Sequence, residues 1–149
     1  MINKEENAVT YSIGDLVLIS GLTDRTLRNY LSLGILRGEK ENGAWRFTPE
    51  QVEVFLRDAA VRPSILAKKN ALVYDFLLNT QKTKSETCVI LDLPGENGWE
   101  ISGFFCDAIR AADIRDVQFS FESFDSVPRV ILKGDAAMVR KLMDRFYSR

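Results

Sequence analysis

The 149-residue sequence contains no histidine, only two cysteines and no apolar run near the ~20 residues that span a bilayer. Without histidine there is no imidazole general base, no histidine zinc ligand and no histidine-containing catalytic triad. Cys88 and Cys106 do not have a metal-ligand spacing and are typical of a reducing compartment. We therefore expect a protein that is not an enzyme and that has no metal site and no cofactor. Because free cysteine is usually buried, we expect both thiols in the interior.

The N-terminal segment MINKEENAV lacks the basic start and the apolar core of a signal peptide. Together with the missing membrane span, this predicts a cytoplasmic protein without a membrane partner. The composition, 46% hydrophobic and 28% charged, is that of a globular protein. The net charge of −1 lacks the basic bias that DNA-binding proteins usually show.

Two short helices joined by a glycine turn are predicted near the N-terminus. Ser12, three residues before Asp15, has the spacing of a capping box, and Gly21 is a plausible end for this first helix. Thr23 is the expected N-cap of a second helix that ends at Gly34. This arrangement predicts a helix-turn-helix motif.

A hairpin and a third helix follow. Asn42-Gly43 is a strong signal for a type I′ turn, because both residues tolerate positive φ. Trp45 and Phe47 alternate with Arg46 as in a half-buried strand. Thr48-Pro49-Glu50-Gln51 then has the pattern of a capped helix start. The order helix, helix, hairpin, helix predicts a winged helix-turn-helix domain over about residues 10–60.

The remainder of the chain predicts a second, α/β domain after Arg62-Pro63. A helix over residues 65–79 precedes the strand TCVILDL, and an amphipathic helix then runs from Ile101 to Ala112. The strands DVQFSFESF and RVILKG and a last amphipathic helix complete the order α-β-α-β-β-α, which resembles a split βαβ unit. The fold class is therefore α+β, with a winged helix-turn-helix domain at 1–62 and a small α/β domain at 63–149.

The second helix has a polar face that suits DNA. Arg25, Arg28, Asn29 and Ser32 recur at helical spacing, opposite Leu27, Tyr30 and Leu31, which would pack inward. Arginine and asparagine can pair with base edges, and serine can reach a phosphate. Any amphipathic helix has a polar face, however, so this face alone does not decide between solvent and DNA.

The predicted wing is the hairpin around Asn42-Gly43, and its charge favours a DNA-binding surface over an ordinary solvent-exposed one. Residues 25–46 hold five basic residues against Glu39 and Glu41. A basic hairpin beside a basic helix provides two neighbouring phosphate-binding elements. The predicted DNA-binding residues are Arg25, Arg28, Asn29, Tyr30, Arg37, Lys40 and Arg46.

The segments YSIGDL, GLTDRTLRNYLSLGIL and NGAWRFTPEQV resemble, in order and spacing, the DNA-binding domain of MerR-type transcription regulators. Leu27-Arg28 and Tyr30 fall on that family's Leu-Arg-Tyr-Tyr motif, and Arg46-Phe47 falls on its Arg-Tyr motif in the wing. The resemblance implies a bacterial regulator whose second helix enters the major groove of double-stranded DNA. It also implies that Arg28 and Tyr30 lie near bases or backbone and that Arg46 lies on a phosphate.

The family dimerises through a long helix after the DNA-binding domain, whereas the helix predicted here at 65–79 is short. If the last strand lies between the other two, the strand TCVILDL is an apolar edge of the sheet. We therefore expect a homodimer through the C-terminal domain, unless the helix at 65–79 covers this edge within one chain. That domain could also sense a small-molecule effector, if Trp99, Phe104, Phe124 and Tyr147 line a pocket rather than a core.

Two other functions remain open. Excisionases share the winged fold and a similar Trp-Arg-Phe wing, so the chain could be an excisionase-like or architectural protein that bends DNA. The near-neutral charge would suit a protein-interaction module that has lost DNA binding. Asp92, Glu96 and Glu100 lie close together in sequence, where a solvated loop is a better explanation than acid-base chemistry.

Overall fold

The computed structural model describes residues 9–122 and 127–149. Phe124, one of the predicted pocket aromatics, lies outside them. The helices are α1 (Ile13–Ser20), α2 (Asp24–Ser32), α3 (Pro49–Arg57), α4 (Arg62–Leu78), α5 (Gly98–Ile109) and α6 (Ala136–Tyr147). The strands are β1 (Glu39–Glu41), β2 (Ala44–Arg46), β3 (Glu86–Asp92), β4 (Val117–Glu122) and β5 (Arg129–Asp135). This mixture of helices and two antiparallel sheets confirms the α+β class.

The first two helices begin and end at the predicted signals. Ser12 and Asp15 form both hydrogen bonds of a capping box, and Gly21 follows α1 in the left-handed conformation that glycine tolerates. The side chain of Thr23 accepts a hydrogen bond from the backbone N–H of Thr26 at the start of α2. These caps are local, so the sequence alone sets the helix-turn-helix register.

The wing is a β-hairpin of β1 and β2, joined by the predicted two-residue turn. Asn42 has φ +52° and Gly43 has φ +83°, as a type I′ turn requires. The register places Lys40 opposite Trp45, and Nζ of Lys40 lies 5.3 Å from the centre of the indole ring. Directly after β2, the backbone of Phe47 forms an isolated antiparallel bridge with Tyr11.

The larger sheet has the strand order β3-β5-β4, with β5 antiparallel to both neighbours. This is the split βαβ topology that the sequence predicted, and it leaves β3 at an edge. On the outer face of the edge strand, Ile90 is half exposed.

Helix α4 begins at Arg62, three residues earlier than the predicted start at residue 65. The prediction treated Arg62-Pro63 as a break. Pro63 instead occupies the first turn, where its missing N–H has no intrahelical partner to lose. The helix therefore continues closely from the turn after α3.

Helix α1 contacts both the N-terminal part of the chain, up to residue 62, and the part from residue 63 onward, which is called the C-terminal half below. It packs against α2 on one side and against β4 and α5 on another. Leu16 and Ile19 of α1 belong to the same buried cluster as Phe105 and Phe119 of the C-terminal half. The hydrophobic core is thus continuous, and the predicted division at residues 62/63 stays a prediction.

A charged cluster fastens α4 to the end of β4. Lys69 donates hydrogen bonds to a carboxylate oxygen of Glu122 at 3.0 Å and to the carbonyl of Phe121 at 3.4 Å. Arg62 donates to the other carboxylate oxygen of Glu122, also at 3.0 Å. The side chains of Lys69 and Glu122 are 7% and 18% exposed, so this is a largely desolvated ion pair.

Cys106 is buried, as predicted, whereas Cys88 on β3 is only half-buried. Burial raises the pKa of the Cys106 thiol to about 12, so this thiol is inert at neutral pH. No helix in residues 9–122 and 127–149 has both the length and the apolar character of a membrane span.

Candidate nucleic-acid interface

Helix α2 divides into a buried side and an open side. Leu27 is fully buried, and Tyr30 and Leu31 are half-buried. The side chains that the sequence placed on the polar face are all exposed: Arg25, Arg28, Asn29 and Ser32. Asp24 lies in the first turn, where the helix dipole favours a negative charge. The open side therefore offers several donors to a ligand at the surface.

Arg28 is engaged within the protein by a neighbour one turn away. Its Nε lies 2.6 Å from Oδ1 of Asp24, in an i,i+4 pair whose side chains are 57% and 56% exposed. An exposed pair of this kind stabilises a protein by only about 0–1 kcal/mol. A DNA phosphate or a guanine edge could therefore displace Asp24 from Arg28.

Replacing Asp24 with asparagine is expected to tighten DNA binding roughly two- to fivefold. In the variant, Arg28 does not have to leave the carboxylate of Asp24 before it binds a DNA phosphate. The same change should slightly lower the melting temperature, since Asp24 interacts favourably with the N-terminus of α2. Fluorescence anisotropy with a labelled duplex measures the first effect. Asp144→Asn is the control, because it breaks a similar i,i+4 pair with Arg140 on α6. Equal tightening in both variants would indicate a mere change of net charge.

A cleft of about 370 Å³ lies between the start of α2 and the wing. Arg28 and Lys40 both line it, together with Trp45 and with Asp24, the ion-pair partner of Arg28. Residues 12–14, at the N-terminal end of α1, also line it. The structure thus brings together one predicted base-reading residue and one predicted phosphate-binding residue on a single surface.

Arg37 lies elsewhere. It lines a second cleft, of about 580 Å³, that is formed by the turn after α2 and by α3. Glu50 and Asp58 line the same cleft. The sequence grouped Arg37 with the wing, but the fold places it beside acidic residues on the α3 side.

Arg46 is exposed on β2, opposite Glu39 in the hairpin register. Since side chains alternate along a strand, Arg46 points to the face of the hairpin opposite Lys40 and Trp45. The two basic residues of the wing therefore face different directions. One faces the α2 cleft and the other faces outward.

Tyr30 contributes mainly to packing. Its ring meets Phe55 of α3 edge-on, with 5.6 Å between ring centres, and the residue is half-buried. This agrees with its position on the inward side of α2. Its contact with DNA stays a prediction.

Sequence reasoning missed two residues of this region. Asp24 could have been found, because an aspartate four residues before an arginine on a helix is a recognised pair. Tyr11 could not, because its partners in the C-terminal half lie about ninety residues further along the chain.

Of the three carboxylates that lie close together in the sequence, Asp92 and Glu96 form ion pairs, and Glu100 is exposed in the first turn of α5. Asp92 accepts two hydrogen bonds from Arg129, which lower the pKa of this carboxyl group. Glu96 pairs with Arg149 at 3.3 Å. Across the described ranges 9–122 and 127–149, no cluster of acidic, cysteine or histidine side chains is arranged to hold a metal ion.

Two of the aromatics that the sequence considered for an effector pocket, Trp99 and Phe104, pack on other rings. Trp99 contacts Tyr11 and Phe121, and Phe104 contacts Phe105 and Phe146. Tyr147 is 69% exposed at the end of α6. An effector stays a prediction.

The family model of the MerR HTH family regulatory proteins matches residues 11–57. The match begins at the Tyr11 bridge and ends with the last residue of α3, so it covers the two helices, the wing and the third helix. The chain has no significant match among curated proteins or among solved structures. Residues 11–57 are therefore a MerR-type helix-turn-helix domain, the DNA-binding module of a regulatory protein.

Proposed function

We propose that the protein is a bacterial transcription regulator that reads a specific DNA sequence with α2 in the major groove and the wing on the backbone. The observation that carries this proposal is the shared cleft of Arg28 and Lys40, beside the exposed face of α2. A helix that presents arginine and asparagine can form bidentate contacts with guanine and adenine. A lysine beside it can hold the neighbouring phosphate and so fix the register.

The residues divide into two roles. Arg25, Arg28 and Asn29 on α2 read base edges, because they form its continuous exposed face. Lys40 and Arg46 neutralise phosphates from two faces of the hairpin. Arg37 holds a peripheral place in this scheme, because it lies among acidic residues on the α3 side.

Selection of bound sites from a random duplex library tests this function directly. The full-length protein at low salt should enrich an inverted repeat, since a two-fold dimer reads the same half-site twice. A single unpaired site would favour an excisionase-like or architectural protein. No enrichment and no affinity at low salt would favour a protein-interaction module instead.

We propose that the regulator is a homodimer whose contact lies in the C-terminal half. Large apolar side chains are exposed there: Tyr74, Leu77 and Leu78 at the end of α4, and Ile90 on the edge strand β3. A second copy of the chain would cover them in a symmetric contact. Sedimentation equilibrium at micromolar concentration should give twice the mass of one chain, and a monomer would contradict this part of the proposal.

Replacing Arg46 with alanine is expected to weaken binding to all duplexes alike and to reduce the slope of log affinity against log salt by about one. The reason is that a phosphate contact releases counterions but carries no base information. Titrations at several salt concentrations, with a selected site and a scrambled site, measure both effects. Arg115→Ala, which removes an exposed arginine from the C-terminal half, is the matched control. A loss confined to the selected site would assign Arg46 to base reading.

A further inference from the structure

We infer that Tyr11 is a positioning residue for the wing, and that helix α5 of the C-terminal half sets the wing's place through the Tyr11 hydroxyl. The inference about position stands on contacts within the chain. Its consequence for DNA binding rests on the function proposed above.

The backbone of Tyr11 holds the end of the wing. Its N–H donates to the carbonyl of Phe47 at 2.8 Å, and the N–H of Phe47 donates to the carbonyl of Tyr11 at 2.9 Å. The ring of Phe47 lies stacked on that of Trp45, with 6.3 Å between centres and 16° between planes. Any shift of Tyr11 therefore moves the end of β2 and its tryptophan.

The side chain of Tyr11 is held by α5. Its hydroxyl donates to the carbonyl of Trp99 at 3.2 Å and lies 3.1 Å from the hydroxyl of Ser102. Its ring meets that of Trp99 edge-on at 5.6 Å. Tyr11 and Ser102 are almost completely buried, at 2% and 0% exposure. Burial raises the pKa of Tyr11 to about 12, so the hydroxyl stays protonated and able to donate at neutral pH.

A second contact fixes the same segment on α5. One carboxylate oxygen of Asp15 caps α1 by accepting from the N–H of Ser12 at 2.8 Å. The other oxygen pairs with Arg110, at the C-terminal end of α5. The segment 11–15 is thus attached to both ends of α5, through Trp99 and Ser102 at one end and Arg110 at the other.

The wing needs such an anchor because it is small. Its two strands have three residues each and are largely exposed. An isolated two-stranded hairpin is marginally stable in water. The bridge to Tyr11 therefore determines where Lys40 and Trp45 lie relative to α2, and α5 determines where Tyr11 lies.

The test is Tyr11→Phe, which removes only the hydroxyl group, with Tyr147→Phe as the control at an exposed site. Loss of one buried hydrogen bond should raise hydrogen exchange at the amides of Arg46 and Phe47 by about three- to tenfold. Amides in the middle of α3 and α6 should keep their wild-type rates, because packing there is unchanged. Unchanged exchange at Arg46 and Phe47, or a uniform rise there and in α3 and α6, would overturn the inference.

A double-mutant cycle with Ser102→Ala sharpens this test. Ser102→Ala should raise wing exchange less than Tyr11→Phe, and the double variant should exchange no faster than Tyr11→Phe alone. Additive effects would mean that the two hydroxyl groups act independently and would contradict the inference.

DNA titrations complete the experiment. Tyr11→Phe should lower affinity about threefold or more and flatten the salt dependence, as loss of an ordered wing requires. If the wild-type protein binds no DNA, the proposed function fails, while the exchange data still decide whether α5 positions the wing.

Discussion

Replacing Glu122 with alanine is expected to lower the free energy of unfolding by about 3–5 kcal/mol, because it removes a carboxylate that is bonded by the buried ammonium of Lys69 and by Arg62. Lys69 is 7% exposed and reaches Glu122 at 3.0 Å, so solvent cannot readily replace the lost partner. Arg62, which bonds the same carboxylate, is 31% exposed and can turn toward water. Urea denaturation followed by circular dichroism measures the loss.

The double variant Lys69→Met/Glu122→Leu is the control for this prediction. It removes both charges together and should be about as stable as the wild type or more stable, because apolar packing replaces a desolvated pair. A loss of less than about 1 kcal/mol in Glu122→Ala would show that water reaches Lys69 after all.

The same cluster makes the free energy of unfolding depend on pH in the acid range. Burial alone would raise the pKa of Glu122, but hydrogen bonds and charge from Lys69 and Arg62 outweigh it, so the pKa lies below its ordinary value of 4.5. The folded state therefore keeps the carboxylate charged at a pH where the unfolded chain takes up a proton. The contribution of Glu122 is complete above pH 4.5 and is lost as the pH falls from there toward the lowered pKa.

Replacing Arg28 with alanine is expected to weaken binding to the selected site by about 1–3 kcal/mol and to relax base preference at one position of each half-site. The reason is its place on the open face of α2, beside the cleft that it shares with Lys40. The fold should tolerate the change, because the Asp24–Arg28 pair is exposed. Titration of a panel of duplexes with single base changes measures affinity and preference together.

Arg140→Ala on α6 is the control for Arg28→Ala, since it removes an equally charged residue from another exposed i,i+4 pair. Unchanged affinity and unchanged base preference in Arg28→Ala would contradict the assignment of α2 as the reading helix. An equal loss of affinity in both variants would show that the effect comes from net charge alone.

The sequence predicted the features that depend on neighbours in the chain. The caps at Ser12, Thr23 and Thr48 and the Asn42-Gly43 turn are determined within a few residues, and the structure has each of them. The split βαβ order was also predictable, since strand patterning and short connections leave few arrangements.

What the sequence could not predict depends on contacts between distant residues. Arg37 is close to the wing in sequence, yet a turn of the chain places it beside α3. The link from Tyr11 to Ser102 joins residues 91 positions apart, and neither has an unusual local pattern. The exposure of the basic residues on α2 and the hairpin was therefore predictable, but their directions and the contact that anchors the hairpin were not.

Helix α1 packs against both parts of the chain, and this has a consequence for the DNA sites, or operators, that a dimer would select. Because α1 lies in one core with α2 and also against β4 and α5, α2, the proposed reading helix, keeps a set angle to the C-terminal half. In a dimer built on that half, the two reading helices would face the DNA with a defined helical phase. B-DNA turns by about 34–36° per base pair, so one inserted base pair would rotate a half-site away from its helix. Such a regulator would select its operators by spacer length as strictly as by base sequence.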